Sequence, residues 1–173
     1  MTSVAPQKRI EVGVVVERRR AKSAWIDFVW RPVMILPGRP AAAPWAVLAT
    51  EADCTTFYAG PAEIKLYRSE TGQYRDNLRS GTPSLWVVLR PTGADPAYEI
   101  VAATADPAEG ESWTQGGNDL VEAVPMPAMV AETIEAFVAE HHVERAFAKR
   151  TRDRADPEVL ARRGRLDGKS TDE

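Results

Sequence analysis

The chain has 173 residues, 44% of them hydrophobic, a formal net charge of −3 and a single cysteine, Cys54. This length supports one core rather than two comfortable domains, the lone cysteine excludes an internal disulfide and a CxxC metal site, and no stretch approaches the ~20 apolar residues of a membrane helix. The charge is sorted along the chain: residues 1–90 carry 13 Lys+Arg against 8 Asp+Glu, residues 91–144 carry 0 against 11, and residues 145–173 carry 9 against 6.

Residues 1–8 read as a flexible N-terminus. Lys8-Arg9 is followed only by the short apolar run 12–16 and then by Glu17-Arg18-Arg19-Arg20, too little for a signal-peptide core, so cytoplasmic residence is the expectation. From residue 9 to about 124 the dominant period is two, the mark of half-buried antiparallel strands. Ile10, Val12, Val14 and Val16 share one face. Ile26, Phe28 and Trp30 alternate with Trp25, Asp27 and Val29, and the run continues through Pro32 to Leu36 before Pro37-Gly38. Pro32 cannot donate to a ladder, which predicts a bulge or an edge there. Further strands are expected over residues 45–50, 55–59, 63–68, 84–90 and 98–105, with Gly60-Pro61, Gly81-Thr82-Pro83 and residues 91–96 as turns. The run 84–90 is apolar on both faces, which predicts a central strand with Trp86 in the core.

Residues 107–119 read as a loop. Helical spacing arrives late: Pro127 suits a first helical position, and Val130, Ile134, Phe137, Val138 and His141 form one stripe of an amphipathic helix ending near Val143. Asp156-Pro157 is a cap signal for a last short helix, and residues 166–173 read as disordered. The fold class is therefore α+β: mainly antiparallel β, about seven short strands in a sandwich or small barrel, then a C-terminal amphipathic helix and a basic tail. Residues 9–144 make one domain and residues 145–173 a charged, partly disordered tail.

No GxGxxG, phosphate-loop, GxSxG or HExxH sequence is present, which weighs against the common enzyme classes. The two histidines, His141 and His142, are adjacent; neighbouring helix positions point about 100° apart and cannot chelate one ion, so packing or a helix-end charge is their expected role. Residues 57–78 are richest in tyrosine and charge, and Tyr58, Glu63, Arg68, Tyr74, Arg75 and Asp76 form a candidate partner surface. The plainer alternative is that the tyrosines cover the sheet while the charges pair at its surface for ~0–1 kcal/mol each. Arg145, Lys149 and Arg150 open the basic tail and extend the candidate surface. The tail lacks interleaved aromatics beyond Phe147 and the body is acidic, so a solvated charge run, a clamp on the acidic body or an acidic partner is expected ahead of nucleic acid.

Several words in order carry a resemblance: Val14-Val15-Val16-Glu17-Arg18-Arg19, Trp30-Arg31-Pro32-Val33, Phe57-Tyr58-Ala59-Gly60, Tyr74-Arg75-Asp76-Asn77-Leu78, Leu85-Trp86-Val87-Val88-Leu89-Arg90-Pro91, Val124-Pro125-Met126-Pro127 and His141-His142-Val143-Glu144-Arg145. Together they resemble the proteobacterial domain of unknown function family 3305, over about residues 10–165. The resemblance implies genes beside molybdenum-dependent formate dehydrogenase and its accessory proteins, and it carries over no catalytic residue. Some members carry a label for molybdopterin-guanine dinucleotide biosynthesis. That chemistry needs a nucleotide-binding α/β domain with a glycine-rich first loop, which this period-two chain lacks.

Taken together, these features lead us to expect a non-enzymatic accessory protein without a cofactor or metal, which binds a formate dehydrogenase subunit or maturation factor. A β domain binding a pterin or nucleotide, as carrier or enzyme, with Trp25, Trp45 and Trp113 as stacking candidates, is the alternative. A nucleic-acid-binding regulator comes third.

Overall fold

The computed structural model describes residues 4–143. Seven strands form two antiparallel sheets. β1 (Lys8–Arg20), β2 (Phe28–Pro37), β3 (Ala46–Thr50) and β4 (Cys54–Leu66) stand in the order β2-β1-β4-β3, and β5 (Ser84–Pro91), β6 (Tyr98–Thr104) and β7 (Leu120–Pro125) in the order β6-β5-β7. β4 approaches β6 and β2 approaches β7, so the sheets face one another as a sandwich, with β1 and β5 in the middle. Among the described residues the sheets do not join into a closed barrel.

Alternation builds this core. Val12, Val14 and Val16 on β1, Ile64 and Leu66 on β4, and Leu85, Val87 and Leu89 on β5 are each 0% exposed, and each such side chain contributes about 1.5–3 kcal/mol of burial. β5 is the central strand of its sheet, as its two apolar faces predict. Its second face carries Trp86 and Val88, which is covered by a helix, α2 (Pro107–Thr114). A Cβ at Gly110 would collide with the Trp86 indole, so glycine is what lets α2 lie on this strand. Trp86 itself is half-buried beneath it.

Four expectations need correction. Gly60-Pro61 is no turn: β4 runs through it, and the register slips between Val14↔Gly60 and Val15↔Tyr58. Gly60 takes φ 137°, open to glycine, so a bulge absorbs the turn residues without ending the strand. Residues 107–119 are not simply loop, because Asp106 accepts hydrogen bonds from Ala108 N and Glu109 N and Pro107 occupies the first turn, which starts α2. Residues 120–125 form a strand of their own. Pro127 is the extended N-cap of α3 (Ala128–His141) and not its first helical residue. By contrast, β2 is an edge strand and its register shifts where Val15 pairs Met34 and Val16 pairs Pro32, as Pro32 predicts.

The sandwich has two unlike ends. β4 ends, β5 begins and β6 and β7 end at one of them, where α1 (Thr71–Arg79), after a short 3-10 turn (Arg68–Glu70), packs on α3. At the other end lie the β1–β2 hairpin tip and the start of β6. No helix among the described residues is long and apolar enough to cross a membrane. Arg145, Lys149, Arg150, the expected last helix and residues 166–173, expected to be disordered, lie outside the described residues.

Candidate functional site

The six expected surface residues within the described chain do not make one surface. Tyr58 is 1% exposed and Tyr74 is 2% exposed. Tyr58 lies over Gly13, where a Cβ would come within 2.8 Å of its Cε2 and 3.1 Å of Pro40 Cδ, so this ring and the β2–β3 connection cover the outer side of the first sheet. Tyr74 packs on Phe137 with ring centroids 6.3 Å apart, and its hydroxyl accepts from Tyr67 N at 3.1 Å; burial pushes its pKa up to about 12. Glu63 accepts from Arg9 at 2.8 Å and lines a groove of about 310 Å³ between β4 and β6 with Glu11, Arg39 and Lys65. Arg68 is exposed, and Arg75 pairs with Asp76 at 3.5 Å.

A hydrogen-bond network holds the helical end together. Arg75 Nη1 lies 2.8 Å from His142 Nε2, and Thr71 Oγ1 lies 3.0 Å from His142 Nδ1. A guanidinium only donates, so Nε2 accepts and Nδ1 carries the proton, donating to Thr71, whose hydroxyl donates to Arg68 O. His142 thus ties the end of α3 to α1, while His141 packs on Phe137 with centroids 4.5 Å apart. Asn77 donates to Ser84 O at 2.8 Å and Ala105 O at 2.9 Å and accepts from Ser84 N at 3.0 Å. Asp106 is buried as well, and loss of water around its carboxyl raises its pKa despite the cap bonds.

The opposite end is open. Trp30, Trp45, Phe57 and Tyr98 make one aromatic cluster, with Trp30 centroids 6.1 Å from Trp45, 5.7 Å from Phe57 and 5.7 Å from Tyr98. Trp45 holds φ 65°, a left-handed conformation costly for a bulky residue, on the order of 1–3 kcal/mol, and typical of functional sites. Arg18 lies over these rings, its Cζ 4.6 Å from the Phe28 centroid, 5.6 Å from Trp30 and 5.3 Å from Phe57. Its Nε is buried and has no hydrogen-bond acceptor among the described residues. Beyond it the hairpin tip projects apolar groups into solvent: Trp25 is 94% exposed, Ile26 56% and Val29 51%. A groove of about 340 Å³ on this hairpin is lined by Arg19, Arg20, Lys22 and Arg31 with Val29 and Glu17.

In the sequence Arg18 is hidden inside a run of charges. Its parity with Val12, Val14 and Val16 is the signal that points to it, since even positions of β1 face inward. Of the three stacking candidates, Trp45 belongs to the cluster, Trp25 stands on the tip and Trp113 is half-buried on α2, with no ring contact joining them among the described residues. No group of three or more His, Cys, Asp or Glu able to hold a metal occurs among the described residues.

Residues 11–151 match the model of a family described as protein of unknown function (DUF3305). No curated protein matches the chain. No solved structure matches it.

Proposed function

We propose, for a chain that belongs to the DUF3305 family of proteins of unknown function, that it is a non-enzymatic binding protein whose working surface is the open end of the sandwich. The observation that carries this reading is the hairpin tip, where Trp25 and Ile26 stand in water and the exposed Val29 shares a groove with Arg19, Arg20, Lys22 and Arg31. Contiguous exposed apolar groups rimmed by charge are the composition of a docking surface. The partner we propose is a subunit of a molybdenum-dependent formate dehydrogenase or one of its maturation factors, in the cytoplasm of a bacterium, an assignment supported by the family resemblance of the sequence. Trp25 and Arg18 take the role expected of Tyr58 and Tyr74, whose burial supports packing instead.

The test is recovery of partners from cells that express the enzyme, with the tagged full chain as bait. The wild-type chain is expected to retain a dehydrogenase subunit or maturation factor, and Trp25→Ser/Ile26→Ser to lose it while keeping its melting temperature. Recovery of neither by the wild type, together with normal formate dehydrogenase activity in a deletion strain, would sink the assignment.

A further inference from the structure

We infer that Arg18 is an anion-recognition residue, and that it takes a carboxylate from an acidic side chain set among apolar residues of the docked partner. This rests on the reading that the open end binds a polypeptide. An arginine is always charged, and a guanidinium turned toward a core normally meets a carboxylate or a carbonyl. Among the described residues Arg18 meets neither. Its contacts are the rings of Phe28, Trp30 and Phe57, which seal Nε from water without offering it a lone pair. The side chain as a whole is half-buried, and its two Nη groups, with no hydrogen-bond partner among the described residues, are spaced to grip two carboxylate oxygens end-on.

The surroundings select the bearer of that carboxylate. The rings exclude water from the Nε side of the guanidinium, which strengthens an ion pair formed there, and they offer area to apolar side chains flanking the acid. Arg20, Lys22 and Arg31 on the same hairpin add positive potential that draws an acidic segment. Trp45, held at φ 65° beside Trp30 and Phe57, keeps the frame assembled before the ligand arrives, so less order is lost on binding.

The probes are two capped peptides, acetyl-Val-Leu-Glu-Val-Leu-amide and its Gln counterpart, titrated into the full chain while the Arg18 Nε–H and the Trp30 and Trp45 indole N–H signals are followed by nuclear magnetic resonance. The Glu peptide is expected to shift all three saturably and to bind about tenfold tighter than the Gln peptide, a difference of about 1.4 kcal/mol. In Arg18→Met, read from the indoles, that margin disappears, and the melting temperature does not fall, since a buried donor without an acceptor has been removed. Arg18→Lys, which keeps charge without the fork, retains part of the margin. Absence of shifts, equal affinities or an unchanged margin in Arg18→Met overturns the inference, as does displacement by inorganic phosphate or guanosine monophosphate at lower concentration than the peptide. If Trp25→Ser/Ile26→Ser loses its partner while the two peptides bind alike, the docking surface stands and the carboxylate site fails. A Glu preference with partner recovery independent of Trp25 means that the carboxylate site stands and the docking surface fails.

Discussion

At the helical end of the sandwich polar atoms meet partners: Asn77 spans Ser84 and Ala105, His142 bridges Thr71 and Arg75, and Asp106 caps α2. At the open end Arg18 buries an Nε with no acceptor among the described residues, Trp45 holds a strained backbone and Trp25 stands in water. The cation–π contacts of Arg18 offset the cost of its buried unpaired donor, but a strained backbone and a tryptophan in water give the fold no return. Satisfied groups mark where the chain is held together, and unsatisfied or exposed ones mark where something else is met.

Substitutions should divide along the same line. The largest stability loss is expected for Asn77→Ala, which strands two carbonyls and one N–H in a buried position; about 3 kcal/mol or more, read as a lowered urea midpoint. Gly110→Ala forces α2 off Trp86 and should cost about 1–3 kcal/mol by the same measurement. His142→Ala removes the tie between α3 and α1 for about 1 kcal/mol. Against these, Arg18→Met at the open end should leave the midpoint unchanged or raise it. A drop matching Asn77→Ala would erase the contrast.

The smallest effect is in acid. Arg90 donates to both oxygens of Asp119 at 2.9 and 2.7 Å, and this pairing holds the Asp119 carboxyl below the usual carboxylate range. A depressed folded pKa stabilises above the unfolded value and is lost as pH falls through the folded one. Asp119→Asn should therefore be slightly less stable than wild type at neutral pH and converge with it in strong acid. Asp106, raised by burial, has the opposite sign: its charge opposes folding at neutral pH, and that penalty fades as pH falls through its raised value. Asp106→Asn, which keeps a capping oxygen, should show no neutral-pH loss. Urea titrations at a series of pH values distinguish the two.

Much of this fold is legible in residues. Val12, Val14 and Val16 announce β1, Pro32 its edge neighbour, and the doubly apolar run ending at Leu89 the central strand, because burial on alternate positions writes itself directly into sequence. The second part of β4 is not legible in the same way, since Gly60 and Pro61 signal a turn locally and only pairing with β1 reveals a bulge. α2 is obscured because Gly110 and Ser112 are poor helix formers; Asp106-Pro107 is the capping signal that marks its start. The candidate site is harder still. Tyrosine and charge within one segment suggest a face, yet Tyr58 and Tyr74 turn inward, and Arg18, Phe28, Trp30 and Phe57 meet only once β2, β1 and β4 are laid side by side.

A partner is expected to dock at the open end and not at the helical end. A photo-activated benzoylphenylalanine placed at Trp25, and separately at the exposed Gln73 of α1, tests it most directly in cells expressing the dehydrogenase. Docking at the open end predicts a crosslinked complex from position 25 and none from position 73. A complex from position 73 alone, or from neither, would contradict it.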